Sequence, residues 1–169
     1  MSRFLIYLGR FLLIIAGYFC AALATSAMLH LLVIPALGMP PETIASVAAG
    51  SIIFSIPFVA LFVGYFAFFP SLVVIAIAEL WSVRHWAFYA FAGSAVALVI
   101  AAMFRRRAEG LAIETEGGSA LSPSAISVFD PAVLSVMIGA GIVGGLAYWL
   151  IAGSSSGNWR RAAPILPVR

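Results

Sequence analysis

The chain has 169 residues, of which 64% are hydrophobic and only 9% are charged. Because soluble domains carry about 25% charged residues, this composition excludes a water-soluble fold. The net charge of +3 comes from arginines without any lysine, and these arginines flank apolar segments. That pattern is typical of membrane-orienting charge rather than of a nucleic-acid interface. The sequence therefore predicts an integral membrane protein whose partner is the lipid bilayer, with no nucleic acid.

Four stretches contain no Asp, Glu, Lys or Arg: residues 11–41, 43–78, 85–104 and 131–159. Each is long enough to cross a hydrocarbon layer of about 30 Å, which requires about 20 apolar residues as a helix. We therefore predict an all-α, integral membrane four-helix bundle. Its predicted spans are residues 11–34, 55–78, 86–104 and 131–152, and this single bundle accounts for residues 1–152.

The first predicted span, residues 11–34, follows two arginines and could be mistaken for a signal peptide. Ala22, Leu23 and Ala24 resemble a cleavage site. The apolar run nevertheless continues to Ile34, which is longer than a signal-peptide core of about 7–15 residues. We therefore expect an uncleaved helix, ended by the proline-rich turn at residues 35–41.

The second stretch, residues 43–78, is ambiguous. As one helix it would be about 54 Å long, too long for a perpendicular span and too short for two comfortable spans with a turn. Pro57 and Pro70 interrupt it, and proline removes a backbone hydrogen bond and kinks a helix. We predict one long, Pro-kinked helix that spans with residues 55–78 and has a tilted or interfacial extension at 43–54. A five-span alternative, which splits the stretch, stays open.

A short link leads to the third span, residues 86–104. The arginine triplet (Arg105, Arg106 and Arg107) then opens a polar segment, residues 105–130, that we predict to be an exposed loop. Asp130 and Pro131 suit a helix start, because the carboxylate can cap free amides and proline fits the first position. Residues 153–169 are expected to form a flexible tail.

Four spans place both termini on one side of the membrane. That side would hold six arginines against the three of the triplet, which favours cytoplasmic termini. With short loops and no organelle signal, we predict a multi-pass protein of the bacterial inner membrane. The triplet is an objection to this orientation, because arginines at a helix end usually stay cytoplasmic, as the five-span alternative would have them.

Small residues recur at every fourth position on three predicted helices. They are Gly17, Ala21 and Thr25, then Gly93, Ala97 and Ala101, then Gly141 and Gly145. Such stripes let helix backbones approach closely in lipid. They fit packing within this bundle, and they also fit association with a second copy or a larger membrane complex.

Residues with catalytic or metal-binding chemistry are few. Glu79 and His85 could exchange a proton in the link after the second span, although an interfacial ion pair involving Arg84 is the commoner arrangement. His30 and Met28 make a poor metal site, because one imidazole and one thioether are too few ligands. Three serines, Ser46, Ser51 and Ser55, have no apparent base. We assign no catalytic, cofactor-binding or metal-binding residue.

No predicted span has a charged residue in its middle, which disfavours an ion pump. The leading hypothesis is a non-catalytic accessory, assembly or structural subunit that associates through the small-residue faces. The alternative is a small channel or carrier for a neutral or lipidic solute, built around Pro57 and Pro70, where a broken helix would free backbone carbonyls. An interfacial enzyme using Glu79 and His85 ranks third. The arginine triplet would attract anionic headgroups by about 1 kcal/mol per Arg if it were cytoplasmic.

Overall fold

The computed structural model describes residues 3–36, 41–114 and 131–158. This part of the chain forms four α-helices: α1 (Arg3–Ala36), α2 (Pro41–Trp81), α3 (Trp86–Glu114) and α4 (Pro131–Ile151). Each contains a segment long and apolar enough to cross a membrane: Phe4–Val33, Ile53–Trp81, Trp86–Arg107 and Pro131–Ile151. A helix satisfies its own backbone hydrogen bonds, as hydrocarbon requires. The predicted all-α, four-span fold is confirmed.

Helix α2 continues without a break through Pro57 and Pro70. The ambiguous stretch is therefore one helix, and the described residues contain four candidate spans rather than five. Proline is tolerated in membrane helices because neighbouring groups and small local adjustments satisfy the freed backbone. Helix α1 also runs through Pro35 to Ala36, while residues 37–40 of the predicted turn lie outside the described part. A kink at either proline of α2 stays a prediction.

Helix α3 is longer than the sequence indicated. We expected it to end at residue 104, but it continues to Glu114, so residues 105–114 are helical rather than part of a loop. This segment contains no proline and is rich in Arg, Ala, Glu and Leu, which are good helix formers. The arginine triplet therefore lies on an exposed turn of α3. Residues 115–130 of the predicted loop lie outside the described part.

The start of the predicted flexible tail is ordered. After α4, Gly153–Ser155 form one 3₁₀ turn, and Gly153, Ser156 and Gly157 are buried against the bundle. Residues 153–158 therefore pack against the bundle, and the flexibility of the tail stays a prediction. Polar bonds to other helices hold this segment, and such bonds cannot be read from its small, polar composition. Residues 159–169 lie outside the described part.

Helix α4 is the centre of the packing, since it contacts both α3 and α1 extensively. The glycines of α4 allow this close approach to α3 and α1. A methyl group at Gly145 would overlap the backbone carbonyl of Tyr89, and one at Gly144 would overlap the hydroxyl of Thr25. Gly93 of α3 and Gly141 of α4 likewise face each other's backbone carbonyls. These small-residue faces are thus used within the bundle.

Helix α2 is held less closely. It packs mainly along α1, and it makes far fewer contacts with α3 although the two are consecutive in the chain. Polar bonds connect α1 to α2 along this contact. The Tyr18 hydroxyl donates to the carbonyl of Gly64, the Ser26 hydroxyl donates to the carbonyl of Ile56 at 2.8 Å, and His30 is bonded to Ser55 at 2.6 Å. The seam between α2 and α3 is therefore the loosest part of the bundle.

Gly145→Ala should destabilise the protein, because the added methyl group collides with the backbone of α3. We expect a loss of about 1–3 kcal/mol in the free energy of unfolding, the usual cost of overpacking. Gly139→Ala on the same helix is the matched control, since a Cβ there meets nothing within 4 Å. Thermal unfolding in detergent micelles measures both variants. Equal melting temperatures for the two variants would contradict the close α3–α4 contact.

Candidate functional site

A cavity of about 310 Å³ lies between the four helices. One end is lined by Tyr18, Tyr89 and Tyr148, and the other by Leu29, Phe104 and Met137. Tyr89 and Phe104 are fifteen residues apart on α3, which corresponds to about 22 Å along a helix. The cavity is therefore long and narrow, and it runs parallel to the helices. Its volume is within the range of about 300–1,000 Å³ that is typical of ligand pockets.

The walls of the cavity are apolar. Among the described residues that line it there is no Asp, Glu, Lys, Arg or His. Two of the hydroxyl groups at its tyrosine end are already bonded to the protein. The Tyr18 hydroxyl donates to Gly64, and the Tyr89 hydroxyl donates to the carbonyl of Val83 at 2.9 Å. The cavity can therefore offer mainly dispersion contacts to an occupant, with no charge for an ion.

The cavity is partly open, and its opening lies at the loose seam between α2 and α3. Phe62 of α2 and Phe104 of α3 both line the cavity while remaining 52% and 40% exposed. The rings of Phe66 and Phe104 meet across the seam with their centroids 5.0 Å apart. These rings cover the seam at their own level. In a bilayer the seam faces acyl chains, and we infer that the cavity opens laterally toward lipid beside the rings, at the exposed Phe62.

The tyrosine end of the bundle is closed by a polar network. Arg10 forms an ion pair with Glu79, and the two side chains are only 10% and 14% exposed. The Arg10 guanidinium also donates to the Ser155 hydroxyl at 2.7 Å and to the carbonyl of Ala152 at 3.0 Å. Helices α1 and α2 and the segment after α4 are thereby joined. Charged groups that are taken out of water need such partners, because an unpaired buried charge costs several kcal/mol.

The segment after α4 closes this end through further bonds. Arg84 donates to the carbonyl of Ser156 at 2.9 Å and to the Asn158 side chain at 2.6 Å. The Gly157 amide donates to Glu79 at 3.2 Å, with a φ of 73° that favours glycine. Tyr89 and Ser156 share a hydroxyl–hydroxyl bond of 2.7 Å. These bonds of Arg10, Glu79, Arg84 and Tyr89 with residues 152–158 close the tyrosine end of the cavity, and we call this network the plug.

The sequence singled out Glu79, Arg84 and His85 as neighbours in one link. The structure gives Glu79 an ion-pair partner on α1, Arg10, and directs Arg84 to the segment after α4. His85 is exposed and stacks on Trp86 with ring centroids 6.0 Å apart. The role of Arg10 was missed, because it is 69 residues from Glu79 in the chain and resembles an ordinary flanking charge.

His30 connects α1 to α2. Its Nδ1 donates to the Ser26 carbonyl at 2.8 Å, because a carbonyl can only accept, and its Nε2 is bonded to the Ser55 hydroxyl. Both ring nitrogens therefore have protein partners. Within residues 3–36, 41–114 and 131–158, no group of three His, Cys, Asp or Glu side chains could hold a metal ion. Ser55, for which the sequence showed no apparent base, thus lies 2.6 Å from an imidazole nitrogen, while the side chains of Ser46 and Ser51 lie outside the described part.

No protein-family model matches this chain, and no curated protein or solved structure matches it either. The two components of the candidate site are the apolar cavity with its lateral opening and the polar plug at the tyrosine end.

Arg10→Met or Glu79→Met should each destabilise the protein by about 3–5 kcal/mol, because each leaves a buried charge without its partner. The double variant should lose less than the sum of the two, since it removes both charges together. Unfolding of all four proteins in the same micelles gives the coupling energy. A double variant whose loss equals that sum would show that the ion pair does not hold the plug.

Proposed function

We propose that this is a small, non-catalytic membrane protein that binds a lipidic solute within its bundle, as a carrier or holder of that solute. The observation that carries the proposal is the apolar cavity of about 310 Å³ with its opening at the α2–α3 seam. Its site differs from the one that the sequence suggested, because Pro57 and Pro70 lie within a continuous helix. The binding space is between the helices instead.

The chemistry of the walls favours an apolar chain over water or an ion. Side-chain atoms that line an empty cavity lack partners for dispersion contacts. An apolar cavity of about 150 Å³ is known to remain dry and to bind benzene. The cavity described above has about twice that volume. A hydrocarbon chain restores the lost contacts and requires no charged partner. In a bilayer, such chains are present at high concentration next to the opening.

An accessory or assembly role, the leading expectation from the sequence, stays a separate prediction. The small-residue faces that suggested it are occupied inside the bundle, where Gly141, Gly144 and Gly145 contact α1 and α3. Association with a second copy or a larger membrane complex would therefore have to use the lipid-facing surface. The four exposed spans leave room for such contact without indicating a partner.

For location, we propose a bacterial inner membrane with cytoplasmic termini. The support is the arginine count of the sequence, six on the side of the termini against three on the other. A second support is that the arginine triplet ends the candidate span Trp86–Arg107, about 31 Å of helix from Trp86. The triplet and the link after α2 therefore belong to opposite surfaces.

Val96→Phe should reduce the affinity for an apolar ligand, because Val96 lines the cavity and the larger ring fills it. Val99→Phe is the matched control on the same helix, since Val99 is 46% exposed and does not line the cavity. Titration of the purified protein with a fluorescent fatty-acid probe measures both. We expect the Kd of Val96→Phe to be higher by about tenfold, which is a loss of about 1.4 kcal/mol of binding free energy. The Kd of Val99→Phe should be unchanged.

Equal affinity in all three proteins would place the probe outside the cavity and would refute the proposal. Native mass spectrometry of the protein extracted in a mild detergent is a second readout. A retained lipid mass that Val96→Phe loses supports the carrier. A second protein at fixed stoichiometry, with no lipid, would favour the accessory role.

A further inference from the structure

The arginine triplet lies next to the end of the cavity that Phe104 lines. Phe104 lines the cavity, and the triplet follows it directly on α3. Arg107 also lines a small second pocket together with Phe66 and Phe104, the two residues whose rings meet across the seam. The lateral opening is therefore bordered by positive charge at the level where the span Trp86–Arg107 ends.

The three arginines of the triplet are exposed. Arg105 already has an interaction within the chain, so Arg106 and Arg107 are considered below as partners of an anionic group. Guanidinium groups bind phosphate oxygens through paired hydrogen bonds, and basic pockets between membrane helices bind anionic headgroups. A cation that ends a span lies at the depth of lipid phosphates rather than in hydrocarbon.

The opposite end of the cavity cannot hold a headgroup in the same way. Tyr89 and Tyr148 close it, with their ring centroids 5.6 Å apart. Behind them, every guanidinium nitrogen of Arg10 already has a protein partner. The charge of Arg10 is therefore engaged, while the side chains of Arg106 and Arg107 are exposed. A chain with one polar end would enter with its polar end toward the triplet.

We propose that the occupant is an anionic membrane phospholipid. One acyl chain passes through the α2–α3 seam into the cavity, and the phosphate binds Arg107 beside Phe104, with the adjacent Arg106 adding positive charge. The α3 residues that line the cavity extend over about 22 Å of helix, more than the roughly 15 Å of one leaflet of hydrocarbon, so they can contact an acyl chain along much of its length. This assignment rests on the proposed function and adds the chemical class of the ligand. It holds for either orientation, because the contact is between one headgroup and two side chains.

The test is a competition between phosphatidylglycerol, which is anionic, and phosphatidylethanolamine, which is zwitterionic, with identical acyl chains. Both are added in equal amounts to the delipidated protein in detergent, and native mass spectrometry counts the lipid retained. We expect phosphatidylglycerol to be retained about tenfold over phosphatidylethanolamine. The double variant Arg106→Gln, Arg107→Gln should bring that ratio close to one, while lysine at both positions should preserve most of it.

Two controls distinguish binding of the lipid headgroup at the triplet from a general effect of charge. Arg160→Gln with Arg161→Gln removes the same charge from the tail and should leave the ratio unchanged. Glycerol phosphate, which has the anionic group without a chain, should not displace the lipid. Displacement by glycerol phosphate would indicate a simple anion site and overturn the assignment.

Different results would refute the ligand class and the carrier function. Equal retention of both lipids by the wild-type protein, or an unchanged ratio in the Arg106, Arg107 variant, overturns the anionic ligand. The proposed function then survives if the fluorescent fatty acid still binds in a way that Val96→Phe weakens. If neither lipid nor probe binds the wild-type protein, both the ligand class and the carrier function are refuted.

Discussion

In a bilayer, helices are not driven together by the hydrophobic effect, so only close backbone contact and polar bonds hold them. Here that contact is concentrated on α4, where Gly144 meets α1, and Gly141 and Gly145 meet α3. In the described part of α2, Gly64 faces Tyr18 and Ala22 of α1 rather than α3. Helix α2 is held to α1 by hydroxyl–carbonyl bonds and by the ion pair of Glu79 with Arg10. The unequal packing leaves the α2–α3 seam loose and a cavity behind it.

The two ends of the cavity differ in how their charged side chains are arranged. At one end, arginine and glutamate are buried together, and the segment after α4 satisfies the remaining donors and acceptors. This end is closed because leaving any of these groups unpaired would be costly. At the other end, the charges point outward from an exposed turn of α3. An apolar space closed by a plug at one end and bordered by cations at the other suits a molecule with an apolar chain and an anionic head.

The spans were predictable, because the absence of charge over about 20 residues depends only on the sequence. The long second helix was also predictable, since its length left no room for a turn. The Arg10–Glu79 pair was not, because 69 residues separate its members and each looks like a flanking charge. The glycine stripes were visible, but spacing does not tell which neighbour a stripe meets. The cavity depends on how the side chains of four helices fit together, and the pattern of residues along the chain does not predict that fit.

The central claim is that an acyl chain reaches the interior of the bundle through the α2–α3 seam. Intermolecular nuclear Overhauser effects between lipid chain protons and methyl groups of the unmodified protein test it most directly. The account predicts contacts to Val96 and Ile100, which line the cavity, as strong as those to the lipid-facing Val99. Ala101 and Ala152, which are 1% and 0% exposed and do not line it, should show none. Contacts to Val99 without contacts to Val96 and Ile100 would contradict the claim.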